Sequence, residues 1–281
     1  MRILTLSLAL IFLFSSFSCQ KEKNKIDWTE VPDSLKDKNG NIDQSKIDKS
    51  KIQKPTEDVT FTTSDKKEIS GSFYFQDTKK NEVQPLVILI HQFNQTREQW
   101  QNSFRDSLLN TGYKVLAYDI RGHGKSTKQN GKLEDLLTDP EQATNDIKAV
   151  LEWAKKQKGI DSTRIAIIGT SIGGNIALYA GLNLGVKVPV AVSNGKQTFE
   201  AYTGFNELMM GRPNFPKMQN ALLICGNKDG DHEAGQKWIL DNFCSKPCEL
   251  KAYDSDKHGK FLIEEKPEVN ELILSWLRKY L

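Results

Sequence analysis

A serine framed by glycines, Gly169-Thr170-Ser171-Ile172-Gly173, follows the apolar run Ile165-Ala166-Ile167-Ile168 and precedes the helix-like stretch Asn175-Ile176-Ala177-Leu178-Tyr179-Ala180. That order reads as strand, sharp turn, helix. A serine on such a turn projects its hydroxyl above the edge of the sheet, and the two glycines remove Cβ atoms that would crowd so tight a backbone. Ser171 is therefore the candidate nucleophile. The pentapeptide by itself recurs by chance in many chains, so the flanking strand and helix carry the argument.

A nucleophilic serine needs a base for its proton and an acid to orient that base. The chain has four histidines. His91 ends the apolar run Leu86-Val87-Ile88-Leu89-Ile90, and His123 lies in Arg121-Gly122-His123-Gly124-Lys125-Ser126; both precede the serine. His232 stands where a helix is about to start. His258, in Ser255-Asp256-Lys257-His258-Gly259, follows the strand-like Glu249-Leu250-Lys251-Ala252-Tyr253 and precedes the final helix, which makes it the candidate base. For the acid, the buried run Ala221-Leu222-Leu223-Ile224-Cys225 is followed by Gly226-Asn227-Lys228-Asp229-Gly230-Asp231. Asp229 is favoured over Asp231. Either carboxylate could instead make an Asx-turn or cap the helix beginning near Glu233.

The order serine, acid, histidine is that of the α/β-hydrolase fold. From about Val59 to Leu281 the chain resembles the α/β-hydrolase superfamily, nearest to its lidless esterase and dienelactone-hydrolase-like branches. Four landmarks carry the resemblance: Ile90-His91-Gln92-Phe93, Asp119-Ile120-Arg121-Gly122-His123-Gly124-Lys125-Ser126, the Ser171 pentapeptide, and the Asp229 and His258 loops. The resemblance implies an oxyanion hole made by the amides of Ile172 and Phe93, and histidines at 91 and 123 that tie loops together. The first landmark departs from the common His-Gly pair, because Gln92 stands where backbone usually approaches substrate. The implied activity is hydrolysis of carboxylic esters through an acyl-enzyme, with no cofactor and no metal. Amidase or peptidase activity, a lysophospholipase or lipase, and an inactive ligand-binding protein on the same frame are the alternatives.

The chain has 281 residues, of which 38% are hydrophobic, with a net charge of +3. That length suits one generous domain with appendages. The weak charge leaves no footprint for nucleic acid. Arg2 and the apolar run Ile3 to Phe14, closed by Ser15-Ser16-Phe17-Ser18-Cys19, read as an export signal too short to span a bilayer comfortably. The segment resembles a bacterial lipoprotein signal, which implies lipidation of Cys19 and a membrane anchor outside the cytoplasm; cleavage to a soluble exported enzyme is the alternative. Ser16 replaces the usual leucine three residues before the cysteine. The expected organisation is a signal at 1–18, a polar tether at 19–58 with no sustained period, and a hydrolase domain at 59–281.

Cys225 reads as a small core residue. Cys244 and Cys248 flank Ser245-Lys246-Pro247, close enough for a disulfide that an oxidising compartment would favour. Two cysteines without a second ligand pair make a poor zinc pattern. The periodicity predicts an edge hairpin from Val59 to Phe75, then strands near 86–91, 114–119, 164–169, 188–193, 221–225 and 248–254, with amphipathic helices over Thr144–Lys156 and Glu268–Tyr280. Such alternation indicates a mostly parallel sheet covered on both faces, with ligands at the C-terminal strand ends. Between Ser193 and Asn220 there is no room for a large cap domain. Phe199, Tyr202, Phe205, Leu208, Met209, Met210 and Phe215 crowd this interval. Tyr202, Phe205 and Met209, with Gln92, are the candidate pocket residues, and packing of a short helix is the competing reading. A small roof suits short or medium acyl groups.

Overall fold

Unbroken apolar runs of five to seven residues bury both faces of a strand, and here they form the centre of an eight-stranded sheet in the order β1-β2-β4-β3-β5-β6-β7-β8. The structure is a computed structural model and describes residues 56–205 and 216–281. The export signal, Cys19, most of the tether, Leu208, Met209, Met210 and Phe215 lie outside the described residues. The strands are β1 (Glu57–Thr62), β2 (Glu68–Tyr74), β3 (Gln84–Ile90), β4 (Lys114–Tyr118), β5 (Ile160–Thr170), β6 (Val188–Val192), β7 (Leu222–Gly226) and β8 (Glu249–Tyr253). β1 and β2 form the expected edge hairpin, antiparallel to each other, and β2 pairs antiparallel with β4. Every other pairing is parallel.

The helices are α1 (Asn102–Asn110), α2 (Ala143–Lys155), α3 (Ile172–Asn183), α4 (Lys196–Thr203), α5 (His232–Phe243), α6 (Lys260–Glu265) and α7 (Glu268–Tyr280). β3 shows how the layers are built. Leu86, Ile88 and Ile90 point into one core with Ile147, Val150 and Leu151 of α2 and Ile176 of α3. Val87 and Leu89 point into the opposite core with Phe104 and Leu108 of α1 and Val269, Ile273 and Leu277 of α7. Alternate residues thus feed opposite faces, as the twofold strand repeat requires. A third cluster joins α4 and α5 through Phe199, Leu223, Ile239 and Phe243.

Strand bounds differ from expectation chiefly at β5, which starts at Ile160 rather than near 164. Its first residue pairs with Gln84, ahead of a register irregularity that the polar Asp161-Ser162-Thr163-Arg164 stretch masks in the sequence. No large cap is present among the described residues. Nor is any described helix long and apolar enough to cross a membrane.

Candidate active site

β5 runs into α3 with a single residue between them. Ser171 takes φ 50° and ψ −115°, a region that costs a non-glycine residue on the order of 1–3 kcal/mol and persists only when its surroundings hold it. The holding contacts are visible. The Ser171 amide donates to the Val192 carbonyl at 2.8 Å, and the Ser171 carbonyl accepts from the Asn175 amide at 3.1 Å. A Cβ at Gly169 would run into the Gly173 backbone, and one at Gly173 would stand 2.5 Å from the Ile90 carbonyl oxygen. Both glycines are therefore required by close approach. The Ser171 hydroxyl takes no hydrogen bond among the described residues.

The loops after β7 and β8 bring Asp229 to His258. His258 Nδ1 lies 2.8 Å from Asp229 Oδ2, while the outer nitrogen of the ring has no protein partner among the described residues. Asp229 is buried and His258 half-buried. Asp231 is exposed at the start of α5, and its carbonyl accepts from the Gly235 amide; the structure thus pairs Asp229, not Asp231, with the histidine. His232 stands beside them, its Nδ1 donating to the Asp229 carbonyl at 2.6 Å.

The loop after β3 is tied down by its own polar residues. His91 is fully buried. The Ile120 amide donates to its Nε2 at 2.9 Å, so Nδ1 carries the proton and donates to the Gln92 carbonyl at 2.8 Å. Burial lowers its pKa to about 3 and keeps the ring neutral. His123 repeats the pattern: it accepts from the Asn94 amide at 3.1 Å and donates to the Arg121 carbonyl, and burial lowers its pKa too. Asp119 accepts from the Arg97 amide at 2.8 Å and from the Arg97 guanidinium at 2.9 Å. Between these anchors the Phe93 amide has no partner among the described residues, although its neighbours are taken, Gln92 by Gln99 Oε1 and Asn94 by His123. The Ile172 amide, first in α3, is likewise without a partner among the described residues.

Gln92 is the departure that the structure explains. Its Oε1 accepts from the Lys260 amide at 2.7 Å, across 168 residues of chain. Gly259 has φ +57°, and a Cβ there would collide with that same oxygen. The Gly259 amide donates to Ser193 Oγ at 3.0 Å, and Gln99 Nε2 donates to Thr170 Oγ1 at 2.8 Å. Gln92 thus clamps the loop after β3 to the loop carrying His258, and Gln99 links both to the residue before Ser171. The residue expected to line a pocket is a buried strut between two loops. Sequence reasoning missed Gln99, Thr170 and Ser193, because each matters only through a partner remote in the chain.

The other expected pocket residues are Tyr202, Phe205 and Met209. Tyr202 is buried and its hydroxyl donates to the Leu136 carbonyl. Phe205 packs edge-on to Trp238 and Phe243. Tyr202 thus packs within the core, and Phe205 packs partly buried against the cluster of Phe199 and Phe243. Met209 lies outside the described residues. Cys244 and Cys248, the expected disulfide pair, stand as neighbouring free thiols, with the Cys244 and Cys248 side chains in hydrogen-bond contact. The Cys248 thiol donates to the Ser245 carbonyl at 3.1 Å, so it is held as a hydrogen-bond donor.

Comparison with known proteins places this architecture. A family model described as the alpha/beta hydrolase fold matches residues 85–224. An uncharacterized 31.7 kDa protein of Escherichia coli, from the traX-finO intergenic region, is 36% identical over 100 residues, which is 36% of this chain and 33% of the relative. Quorum-quenching protein AidA of Acinetobacter baumannii is 29% identical over 126 residues, 45% of this chain and 39% of AidA. The match therefore spans between a third and two fifths of the length of these relatives. Among solved structures, an acetyl xylan esterase from Paenibacillus sp. R4 aligns with a TM-score of 0.63 at 20% identity, covering 80% of this chain and 83% of that one. The Pyrococcus furiosus esterase PF2001 aligns with a TM-score of 0.59 at 22% identity, covering 80% and 90%.

Proposed function

From the α/β-hydrolase fold that the chain has, we propose that it is a serine hydrolase cleaving carboxylic esters of short to medium acyl groups. The observation that carries this reading is the 2.8 Å contact between His258 Nδ1 and Asp229 Oδ2, made at the same end of the sheet as the strained Ser171. Asp229 holds the imidazole in the tautomer whose outer nitrogen is free to accept. That nitrogen takes the Ser171 proton as the hydroxyl attacks the ester carbonyl, and the resulting imidazolium is stabilised by the carboxylate. The oxyanion settles against the unpartnered amides of Ile172 and Phe93, each worth about 3 to 4 kcal/mol in the transition state because the dipoles are already aimed. The imidazolium then protonates the leaving alcohol. Water, activated by the same histidine, releases the acid and restores the serine. No cofactor enters the scheme.

The likeness to AidA supports a second reading of substrate: a diffusible quorum signal carrying an ester or lactone bond. The export signal supports a protein anchored by acyl chains at Cys19, outside the cytoplasm, with the polar segment 19–58 as tether. The test of activity is labelling by a fluorophosphonate probe followed by a panel of esters of rising chain length and a lactone. Labelling lost in Ser171→Ala, with the fold retained by circular dichroism, is the expected result; equal labelling of that variant ends the proposal. Incorporation of an alkynyl fatty acid that disappears in Cys19→Ala tests the anchor.

A further inference from the structure

His232 has no part in the acyl transfer proposed above, yet its ring stands edge-on to His258 with centroids 4.7 Å apart. Its Nδ1 is 3.6 Å from Asp229 Oδ1. Asp229, His232 and His258 each offer one ligand atom, and the three atoms lie within 4.8 Å of one another. We propose that these three residues bind a first-row divalent cation, zinc above all, and that the bound ion switches the hydrolase off.

The donor set argues for the metal. Two imidazoles and one carboxylate suit zinc and its neighbours, whereas magnesium and calcium prefer oxygen alone. Zinc held tetrahedrally at about 2.0 to 2.2 Å from each ligand needs ligand atoms a little over 3 Å apart. The present spacing reaches that with side-chain adjustments of about 1 Å, without moving a strand. The site is open enough for an ion to enter and for water to complete its shell, since the side chains of His258 and His232 are 33% and 23% exposed.

Inhibition follows from whichever nitrogen of His258 is taken. A metal at Nδ1 replaces the proton that Asp229 orients, and that proton leaves to solvent. A metal at Nε2 occupies the lone pair that must accept the Ser171 proton. Two features keep the binding reversible. His232 opens α5, whose N-terminal dipole opposes a cation, and an ion at its Nδ1 displaces the hydrogen bond to the Asp229 carbonyl. The affinity is accordingly below that of a closed four-ligand structural site.

The cation site stands independently of the hydrolase reading, while the switch rests on it, and the experiment separates the two. Zinc chloride is titrated calorimetrically into the full chain carrying Ser171→Ala, which keeps all three ligands and has no turnover. One-to-one binding is expected, weakened about tenfold or more by His232→Ala and by His232→Gln, the latter keeping a donor for the Asp229 carbonyl. In the unsubstituted chain, zinc is expected to suppress hydrolysis of a chromogenic acetate ester and EDTA to restore it. The His232 variants, each compared with its own zinc-free rate, resist zinc at least tenfold better. Undiminished zinc binding in both His232 variants, no one-to-one binding, or equal binding of magnesium overturns the site. Zinc binding without inhibition of an active enzyme overturns the switch. An unsubstituted chain without ester turnover sinks the switch and the hydrolase reading together, and calorimetry still decides the site.

Discussion

The loop after β3 and the loop after β8 each carry a histidine just beyond a strand, and the two rings do opposite things. His91 has both nitrogens bound to backbone, is wholly buried, and has its pKa pushed down to about 3. His258 has one nitrogen on a carboxylate and the other free, and keeps a third of its side chain exposed. A histidine whose two nitrogens are both committed to the main chain is a fastener, because any proton it gained would break a backbone hydrogen bond. One committed nitrogen and one free nitrogen suit the proton-shuttle role proposed for His258. Residue type is shared by the two loops, and only the partners differ.

The comparison breaks most visibly at the shuttle. His258→Ala is expected to lower kcat on a chromogenic acetate ester by about 10⁴- to 10⁶-fold with little change in unfolding midpoint. A variant keeping more than a tenth of the rate would remove His258 from the mechanism. Asp229→Asn, which still packs but no longer selects the tautomer, should lose about 10⁴-fold. Asp231→Asn should stay within about twofold of the parent, and a comparable collapse there would reverse the assignment of the acid.

Between the two loops lies Gln92, and it sharpens the contrast. Gln92→Ala frees the loop carrying His258 from the loop after β3, so kcat should fall about 10- to 100-fold with KM nearly unchanged, as misplacement of a reacting group does. Gln92→Glu retains an acceptor for the Lys260 amide and should recover part of the rate. An effect confined to KM would return Gln92 to the substrate pocket.

The fastener is read by stability rather than rate. Its pKa falls from 6.5 to about 3 on folding, so below pH 6.5 the unfolded chain holds a proton that the folded chain refuses. The stabilisation is complete above pH 6.5 and declines as pH falls toward 3. The slope is about 1.4 kcal/mol per pH unit, or about 2 kcal/mol between pH 6.5 and 5. Urea unfolding at these two pH values should show His91→Gln less stable than the parent at pH 6.5 and less acid-sensitive between them. Equal acid sensitivity would mean that His91 titrates freely.

The turn at Ser171 was legible because its physics is local. Strand, strained residue and helix are contiguous from Ile165 to Ala180, and the glycines that permit the close approach are neighbours of the serine. The strands were legible for the same reason, since an unbroken apolar run has few places to go but the middle of a covered sheet. β5 was read short because its first pairing, to Gln84, lies behind a polar stretch that hides the strand.

Tyr202 and Phe205 were ambiguous for another reason: an aromatic residue in a short helix suits a core as well as a pocket, and choosing between them takes knowledge of what lies opposite. In Tyr202 the Leu136 carbonyl lies opposite. Cys244 and Cys248 carry a similar ambiguity, for nearness in sequence brings the two thiols together without fixing their oxidation state.

By itself the sequence determined the layered sheet, the turn that exposes Ser171, and the chain order of serine, acid and histidine. Tertiary structure alone decided that Asp229 rather than Asp231 meets His258, that His91 and His123 are fasteners, and that Gln92 is a strut. The reason is that hydropathy periods and turn preferences act over a few residues, whereas a hydrogen bond between residues 92 and 260 exists only once the intervening strands have been stacked in register.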